Sequence, residues 1–186
     1  LPEGIRFSDS DRKKYLVDFV SAESDRGVDF GYLGYRFLTI KDGKNIRVEV
    51  GLSREKIKKI KGRLSKALLA YSNDNKFDLL EKRFRFLTCN YILSSRYRGT
   101  KIRSGIYYNY KSITNLGIED LKYLDEFKNN LIFNDSVRYN LSGVSIGLSQ
   151  IQKIRLAKKS FFYSYKKKIF HKFSVSKIEE IKGCWK

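Results

Sequence analysis

Residue types that build metal centres and disulfide frameworks are scarce in this chain. Its 186 residues include two cysteines, Cys89 and Cys184, and a single histidine, His171. Because the cysteines are far apart and one histidine cannot complete a ligand set, a zinc site of Cys and His ligands is excluded. So few cysteines also favour a reducing compartment, and we expect the protein to act in the cytoplasm.

The chain also lacks long apolar runs, a signal peptide and methionine. No stretch approaches the ~20 apolar residues that a membrane-spanning helix needs, so no segment is expected to cross a membrane. The absence of even an initiator methionine predicts that these residues are a piece of a longer protein, or only its ordered part. Proline occurs once, at Pro2, and no low-complexity linker divides the chain.

What the chain has in excess is positive charge, with 39 Lys and Arg against 20 Asp and Glu and a formal net charge of +19. The first 52 residues are neutral, with nine basic and nine acidic side chains, whereas residues 53–110 have 15 basic and four acidic side chains. Residues 111–186 add a net charge of +8. An excess this concentrated predicts a polyanionic partner, nucleic acid first and an anionic membrane surface second.

The stretch FGYLGYRF, residues 30–37, begins the clearest strand pattern. Asp42 and Gly43 form a turn signal between two apolar runs, so residues 28–51 are predicted to form a β-hairpin. The two glycines of FGYLGYRF interrupt its first strand, which indicates a bulge or the close approach of another backbone. A strand with one buried face is predicted after the turn, where three apolar residues alternate with charged ones: Ile46, Val48 and Val50.

Residues 53–73 have the pattern of an amphipathic helix, with Ser53 as its N-cap. Its apolar stripe consists of Ile57, Ile60, Leu64, Leu68 and Tyr71. A second stripe at the same spacing is basic and consists of Lys56, Lys59, Arg63 and Lys66. The helix is therefore expected to pack on one side and to present a row of cations on another.

The rest of the chain predicts mainly helix, so the expected fold class is α+β, a hairpin followed by a mainly helical, basic region. Four further helices are predicted, over residues 74–93, over residues 114–133, from Ser149, and after a capping box of Ser176 and Glu179. A basic loop is expected over residues 94–105 and a short extended segment over residues 105–113.

Aromatic side chains lie beside the cations and are candidates for stacking on bases. They are Tyr107, Tyr108, Tyr110, Phe161, Phe162, Tyr163 and Tyr165. For any single ring, a place in the core is the commoner outcome. No P-loop, Gly-x-Ser-x-Gly motif or Ser/His/Asp set occurs, so the pattern indicates a binding element and not a complete active site.

The order of these elements resembles the C-terminal part of bacterial reverse transcriptases of the group II intron and retron kind. FGYLGYRF with KDGKNI resembles the hairpin that ends the palm and grips the primer, and SREKIKKIKGRLSKALLAY with LLEKRFRFLTCNYIL resembles the helical thumb. RSGIYYNY, LKYLDEFKNNL and SFFYSYKKKIFHKFSVSKIEEIKGCW are similar to the defence-associated members, so the resemblance covers residues 28–186 and implies a role in antiphage defence.

The resemblance implies which residues contact nucleic acid. The primer grip would be Gly31, Tyr32, Leu33, Gly34, Tyr35 and Arg36, with Phe30, Leu33 and Phe37 anchoring the hairpin. Contacts with the template–primer duplex would come from Lys56, Lys59, Arg63 and Lys66, with Arg83, Arg96, Arg98, Lys101 and Arg103 as further candidates. The implied organisation is the end of the palm over residues 1–52, the thumb over 53–133 and a basic helical extension over 134–186.

The chain departs from the family in lacking the paired catalytic aspartates of a polymerase. The nearest string, YLDE at residues 123–126, lies in a predicted amphipathic helix. The resemblance therefore implies that nucleotide transfer, with its Mg²⁺, belongs to a palm upstream of this chain. This chain would position the RNA template and the nascent DNA; a non-coding RNA and further protein copies are additional partners that the family allows.

Two other functions stay open. A stand-alone RNA- or DNA-binding module without catalytic activity would show the same basic pattern, and the intact mass of the natural polypeptide separates it from a polymerase segment. A basic membrane-surface or assembly protein ranks last, because the basic helix has only a modest apolar stripe. Both nucleic-acid functions predict a steep salt dependence, about a thousandfold in affinity between 50 and 200 mM salt for about six phosphate contacts.

Overall fold

The protein is seen in a computed structural model that describes residues 28–42, 45–94, 101–134 and 146–185. It is an α+β structure, as predicted. The strands are β1 (Asp29–Tyr32), β2 (Tyr35–Asp42), β3 (Asn45–Leu52), β4 (Asn90–Ser94), β5 (Lys101–Gly105) and β6 (Phe170–His171). The helices are α1 (Arg54–Asp74), α2 (Phe77–Thr88), α3 (Ile106–Asn109), α4 (Asn115–Phe133), α5 (Gln150–Ala157), α6 (Phe161–Lys167) and α7 (Val175–Lys182), followed by a 3-10 turn at Gly183–Trp185.

The first sheet is antiparallel, in the order β1-β2-β3, and its first turn lies inside FGYLGYRF. Tyr32 pairs with Tyr35, so Leu33 and Gly34 form a two-residue turn with φ angles of 48° and 85°. Positive φ at both central residues is the conformation of the hairpin turns that match strand twist. The prediction of a single interrupted strand is therefore wrong, because the chain reverses at Leu33 and Gly34. Leu33 is 80% exposed and does not anchor the hairpin.

The predicted hairpin of β2 and β3 is confirmed, with pairs from Tyr35 and Leu52 to Asp42 and Asn45. Gly43 lies outside the described residues, so the Asp-Gly turn stays a prediction. The predicted buried face of β3 is wrong. Ile46 and Val48 are exposed, whereas the neighbouring Glu49 is buried because its carboxylate accepts hydrogen bonds from the Thr114 hydroxyl and the Leu116 N–H at the start of α4.

The helices predicted over residues 53–73 and 114–133 are confirmed as α1 and α4. The Ser53 side chain accepts a hydrogen bond from the Lys56 N–H at 3.3 Å and caps α1. The buried residues of the two helices are Leu64, Ala67, Leu68 and Tyr71 on α1 and Gly117, Leu121, Leu124, Phe127, Lys128, Leu131 and Ile132 on α4. Except for Gly117 and Lys128, these residues share one hydrophobic cluster with Leu52, Phe84, Leu156 and Phe161. Residues of the predicted thumb and of the predicted C-terminal extension therefore pack in the same core.

The second predicted helix ends earlier than residue 93, because α2 stops at Thr88 and the chain continues as strand β4. Asn90, the first residue of β4, is fully buried. Its side-chain amide donates to the Ile169 carbonyl at 3.1 Å and accepts from the Tyr107 N–H at 2.8 Å. Pairing with β5 on one side and β6 on the other completes a second sheet, so the predicted loop over residues 94–105 is wrong from Lys101 onward. Residues 95–100 lie outside the described part.

The segment predicted to be extended over residues 105–113 begins with the single helical turn α3. Gly105, at φ 112°, makes this turn possible, because a β-carbon there would lie 2.4 Å from the Cys89 carbonyl oxygen.

Helix α5 begins after Ser149 as predicted, with a capping box to Gln152. The last helix is capped by Ser174 and not by the predicted Ser176.

Candidate nucleic-acid interface

The predicted basic stripe of α1 lies on one side of a groove. Lys56, Lys59 and Arg63 share one face of the helix because successive members lie three or four residues apart. Lys56 and Lys59 are exposed, and Arg63 is half-buried. The groove has a volume of about 220 Å³, and it is lined by these cations and by residues of α3, Ile106 and Asn109. Lys66 is exposed on the same helix but does not line the groove.

The opposite wall comes from elements that are distant in sequence. Gly105, Ile106, Asn109 and Tyr110 border it around α3, and Tyr91 of β4 closes one end. No carboxylate is among the lining side chains. The groove therefore combines three cations with amide and phenol groups and with the apolar side chains of Ile60, Phe86, Leu87 and Ile106. Cations without a carboxylate beside them suit a phosphate backbone and disfavour a cationic ligand.

The predicted primer-grip turn is joined to this groove through α1. The Gly34 carbonyl accepts a hydrogen bond from the Ser53 N–H at 3.0 Å, at the start of the helix. The Lys56 side chain crosses Gly34 so closely that a β-carbon at position 34 would lie 2.8 Å from the Lys56 Cε. The Tyr35 hydroxyl donates to the Asn109 carbonyl at 2.9 Å. The turn therefore contacts both walls of the groove.

The six primer-grip residues have different environments. Tyr32 and Leu33 are exposed at the turn, Gly31 is exposed beside them, and Gly34 and Tyr35 are partly buried. Arg36 makes two hydrogen bonds of 2.9 Å to the Asp29 carboxylate, and these bonds lower the pKa of Asp29 below its ordinary value. Because this ion pair occupies Arg36, its guanidinium is less available for a phosphate than the lysines of α1.

Arg83, one of the predicted contact residues, does not reach the surface. It is 5% exposed, and its Nε and Nη1 atoms are buried without a hydrogen-bond partner. It lies on the face of α2 that packs against α7, between Leu79 and Phe86 of the second hydrophobic cluster. Its burial leaves little of the side chain for contact with a ligand, and its assignment to nucleic-acid binding stays a prediction. Lys101 and Arg103 are exposed on β5, and Arg96 and Arg98 lie outside the described residues.

Several residues of the groove were not predicted from the sequence. Trp185 donates its indole N–H to the Arg63 carbonyl at 3.0 Å, and the Arg63 guanidinium lies 5.3 Å from the Trp185 ring centre. Tyr91 and Asn109 border the same groove. They come from β4, α3 and the C-terminal turn, and no periodicity in the sequence indicates that these three segments meet beside α1.

The other reactive residue types support no catalytic centre in the described part of the chain. Burial raises the pKa of the Cys89 thiol to about 12, which makes it a poor nucleophile. Burial also lowers the pKa of His171, with Arg85 and Lys159 acting in the same direction. YLDE lies on α4 as predicted, and Asp125 accepts hydrogen bonds from the backbone of α6. No group of three or more His, Cys, Asp or Glu side chains within the described ranges is suited to a metal ion.

Among the described helices, none combines the length and the apolar composition required to span a bilayer. Comparison with protein families, with curated proteins and with solved structures finds no match for this chain.

Proposed function

We propose that this chain binds a template–primer duplex as the C-terminal part of an RNA-directed DNA polymerase that serves antiphage defence. The observation that carries the proposal is the contact between the two segments that the resemblance assigns to nucleic-acid binding. The glycine turn that resembles a primer grip lies directly against the basic stripe that resembles a thumb, with Lys56 crossing Gly34. The segments that the resemblance treats as partners on one nucleic acid are thus in contact.

The dimensions of the basic wall suit one strand of a duplex. Lys56 and Arg63 are seven residues apart, so they are separated by about 10 Å along the helix axis. Phosphates of one strand follow each other every ~3.4 Å along a duplex, so three cations over this distance can neutralise about three phosphates. Such contacts fix position without reading sequence, which is what a protein that must accept any template requires.

In this proposal the chain positions nucleic acid, and another part of the polymerase performs the chemistry. In the family that this chain resembles, Mg²⁺ and the catalytic carboxylates belong to the palm. The RNA template and the nascent DNA are its partners here. A stand-alone nucleic-acid-binding module would use the same groove, and the intact mass of the natural polypeptide decides between the two.

The proposal is tested by binding of a short RNA–DNA hybrid, followed by fluorescence anisotropy. Lys59→Glu reverses a charge in the groove, whereas Lys58→Glu reverses the charge of an adjacent exposed lysine that does not line it. We expect Lys59→Glu to weaken binding about ten-fold or more and Lys58→Glu to have a much smaller effect, because phosphate contacts are local. Equal effects of the two substitutions would contradict a role for the groove.

A further inference from the structure

A row of aromatic rings lies beside α3 and is not part of the groove lining. It consists of Tyr165, Tyr107, Tyr108 and Phe170 and is called the aromatic row below. The ring centres are 5.4 Å apart for Tyr165 and Tyr107, 5.2 Å for Tyr107 and Tyr108, and 5.5 Å for Tyr108 and Phe170. Three separate elements, α6, α3 and β6, therefore supply one continuous surface of rings.

These rings are not explained by the hydrophobic core. Tyr107, Tyr108 and Phe170 belong to neither of the two buried clusters, and only Tyr165 packs against one of them. Phe170 is 40% exposed, and Tyr107, Tyr108 and Tyr165 are half-buried. Apolar rings that remain partly exposed in one contiguous patch are typical of a binding surface.

Two cations flank the row. The Lys168 ammonium lies 4.6 Å from the Tyr107 ring centre, and Arg103 donates to the Tyr108 hydroxyl at 3.3 Å. Both side chains are exposed, and neither forms an ion pair within the described residues. Their charges are therefore available to an anionic ligand that contacts the rings.

The row is held in place by one buried amide. The Asn90 side chain accepts from the Tyr107 N–H at 2.8 Å and donates to the carbonyl of Ile169, the residue before Phe170, at 3.1 Å. The same side chain thus fixes the backbone on both sides of the row. Rings held in this way lose little conformational entropy when a ligand binds.

We infer that the aromatic row binds single-stranded nucleic acid, with bases on the rings and phosphates at Lys168 and Arg103. In a duplex the bases cover each other, whereas the bases of a single strand offer free faces to aromatic side chains. The choice of nucleic acid over other anions rests on the proposed function, because the row adjoins the groove across the single turn of α3. A strand that leaves a duplex in the groove would then meet the row.

The first test compares Tyr108→Leu, which removes the ring, with Tyr108→Phe, which keeps it. We expect Tyr108→Leu to weaken binding of a labelled oligothymidylate by about five-fold or more and Tyr108→Phe to retain most of the affinity. Tyr123→Leu removes an exposed tyrosine of α4 outside the row and is the control. The affinity for a blunt RNA–DNA hybrid should change little in any of the three variants.

Lys168→Gln is the second variant, because it removes an exposed charge without disturbing the rings. It should reduce the slope of log affinity against log salt for the single strand by about 0.7. The inference is overturned if neither Tyr108→Leu nor Lys168→Gln weakens single-strand binding, or if anionic lipid vesicles bind the row in place of the oligonucleotide. If Lys59→Glu still weakens hybrid binding in that case, the proposed function stands while this inference falls.

Discussion

Lys56 lies across Gly34 so that a β-carbon at residue 34 would meet the Lys56 Cε at 2.8 Å. The contact joins the first turn of α1 to a hairpin turn about twenty residues earlier in the chain. The glycine is needed for two reasons, since its φ of 85° is unfavourable for other residues and its missing side chain leaves room for the lysine. The position of the lysine in the groove therefore depends on the turn.

Gly34→Ala is expected to destabilise the protein and to displace Lys56. Alanine at positive φ costs about 1–2 kcal/mol, and the new methyl group must push the lysine stem aside. The free energy of unfolding should fall by this amount in urea denaturation. Gly62→Ala, on the exposed face of α1 with nothing near its β-carbon, should instead raise it by about 1 kcal/mol. A stable Gly34→Ala variant with unchanged hybrid affinity would contradict the coupling.

Asp125→Ala should strongly destabilise the packing of α6 on α4. The carboxylate accepts hydrogen bonds from the N–H groups of Phe161 and Phe162, and it pairs with Lys128, which is 1% exposed. Removing it leaves a buried ammonium and two unpaired N–H groups, so we expect a loss of about 3 kcal/mol or more in unfolding free energy.

The control for this experiment is the exposed ion pair of Glu119 and Lys122, which has the same spacing on the same helix. Glu119→Ala should change the free energy of unfolding by less than about 0.5 kcal/mol, because water screens the pair. Equal effects at the two acidic positions would show that Asp125 is not buried in the way described.

Asp120→Asn should change how stability depends on pH. Burial raises the pKa of Asp120 above its ordinary 3.8, although the Leu52 N–H and Arg36 oppose the shift. A raised carboxyl pKa means that the native state binds more protons than the unfolded state just above pH 3.8, so this group makes stability fall as pH rises there. Asparagine can still accept from the Leu52 N–H at 2.8 Å. The free energy of unfolding of the variant, measured relative to that of the wild type, should therefore increase from pH 4 to pH 7.

Arg83→Met tests whether this arginine binds nucleic acid, as its sequence context predicted, or is only buried. Two of its nitrogens are buried without hydrogen bonds, and each such group costs about 1–3 kcal/mol. We expect hybrid affinity to be unchanged and thermal stability to be equal or higher, since methionine fills similar space without a charge. A fall in affinity comparable to that of Lys59→Glu would restore Arg83 to the interface.

Local patterns predicted the long helices α1 and α4, because their information lies within one helix, whereas α3 was predicted to be extended and α6 was not predicted. The stripes of α1 and its Ser53 cap depend on residues no more than 20 positions apart, and both are found in the structure. The sequence also predicted the three cations of α1 that form one wall of the groove. The turn at Leu33 and Gly34 was missed because leucine is a poor residue for positive φ and so carries no turn signal.

The other wall of the groove depends on contacts between distant segments. Residues 90–94 continue the apolar spacing of α2, and only their pairing with β5 and β6 makes them a strand. Asn90 has to bond to residues 107 and 169 to fix α3 beside β6, and nothing near Asn90 in sequence indicates this. The aromatic row depends on the same contacts, and three of its four rings, Tyr107, Tyr108 and Tyr165, were among the seven candidates from the sequence, whereas Phe170 was not.

The most direct test of the central claim is the affinity of the unaltered protein for an RNA–DNA hybrid as salt is raised from 50 to 200 mM. If Lys56, Lys59 and Arg63 each neutralise one phosphate, the slope of log affinity against log salt should be about −2.7 or steeper. A slope of about −2.7 corresponds to a loss of about 40-fold in affinity over this range. In Lys59→Glu the slope should be shallower by about one. A slope close to zero, or one that Lys59→Glu leaves unchanged, would contradict the assignment of this groove as a nucleic-acid interface.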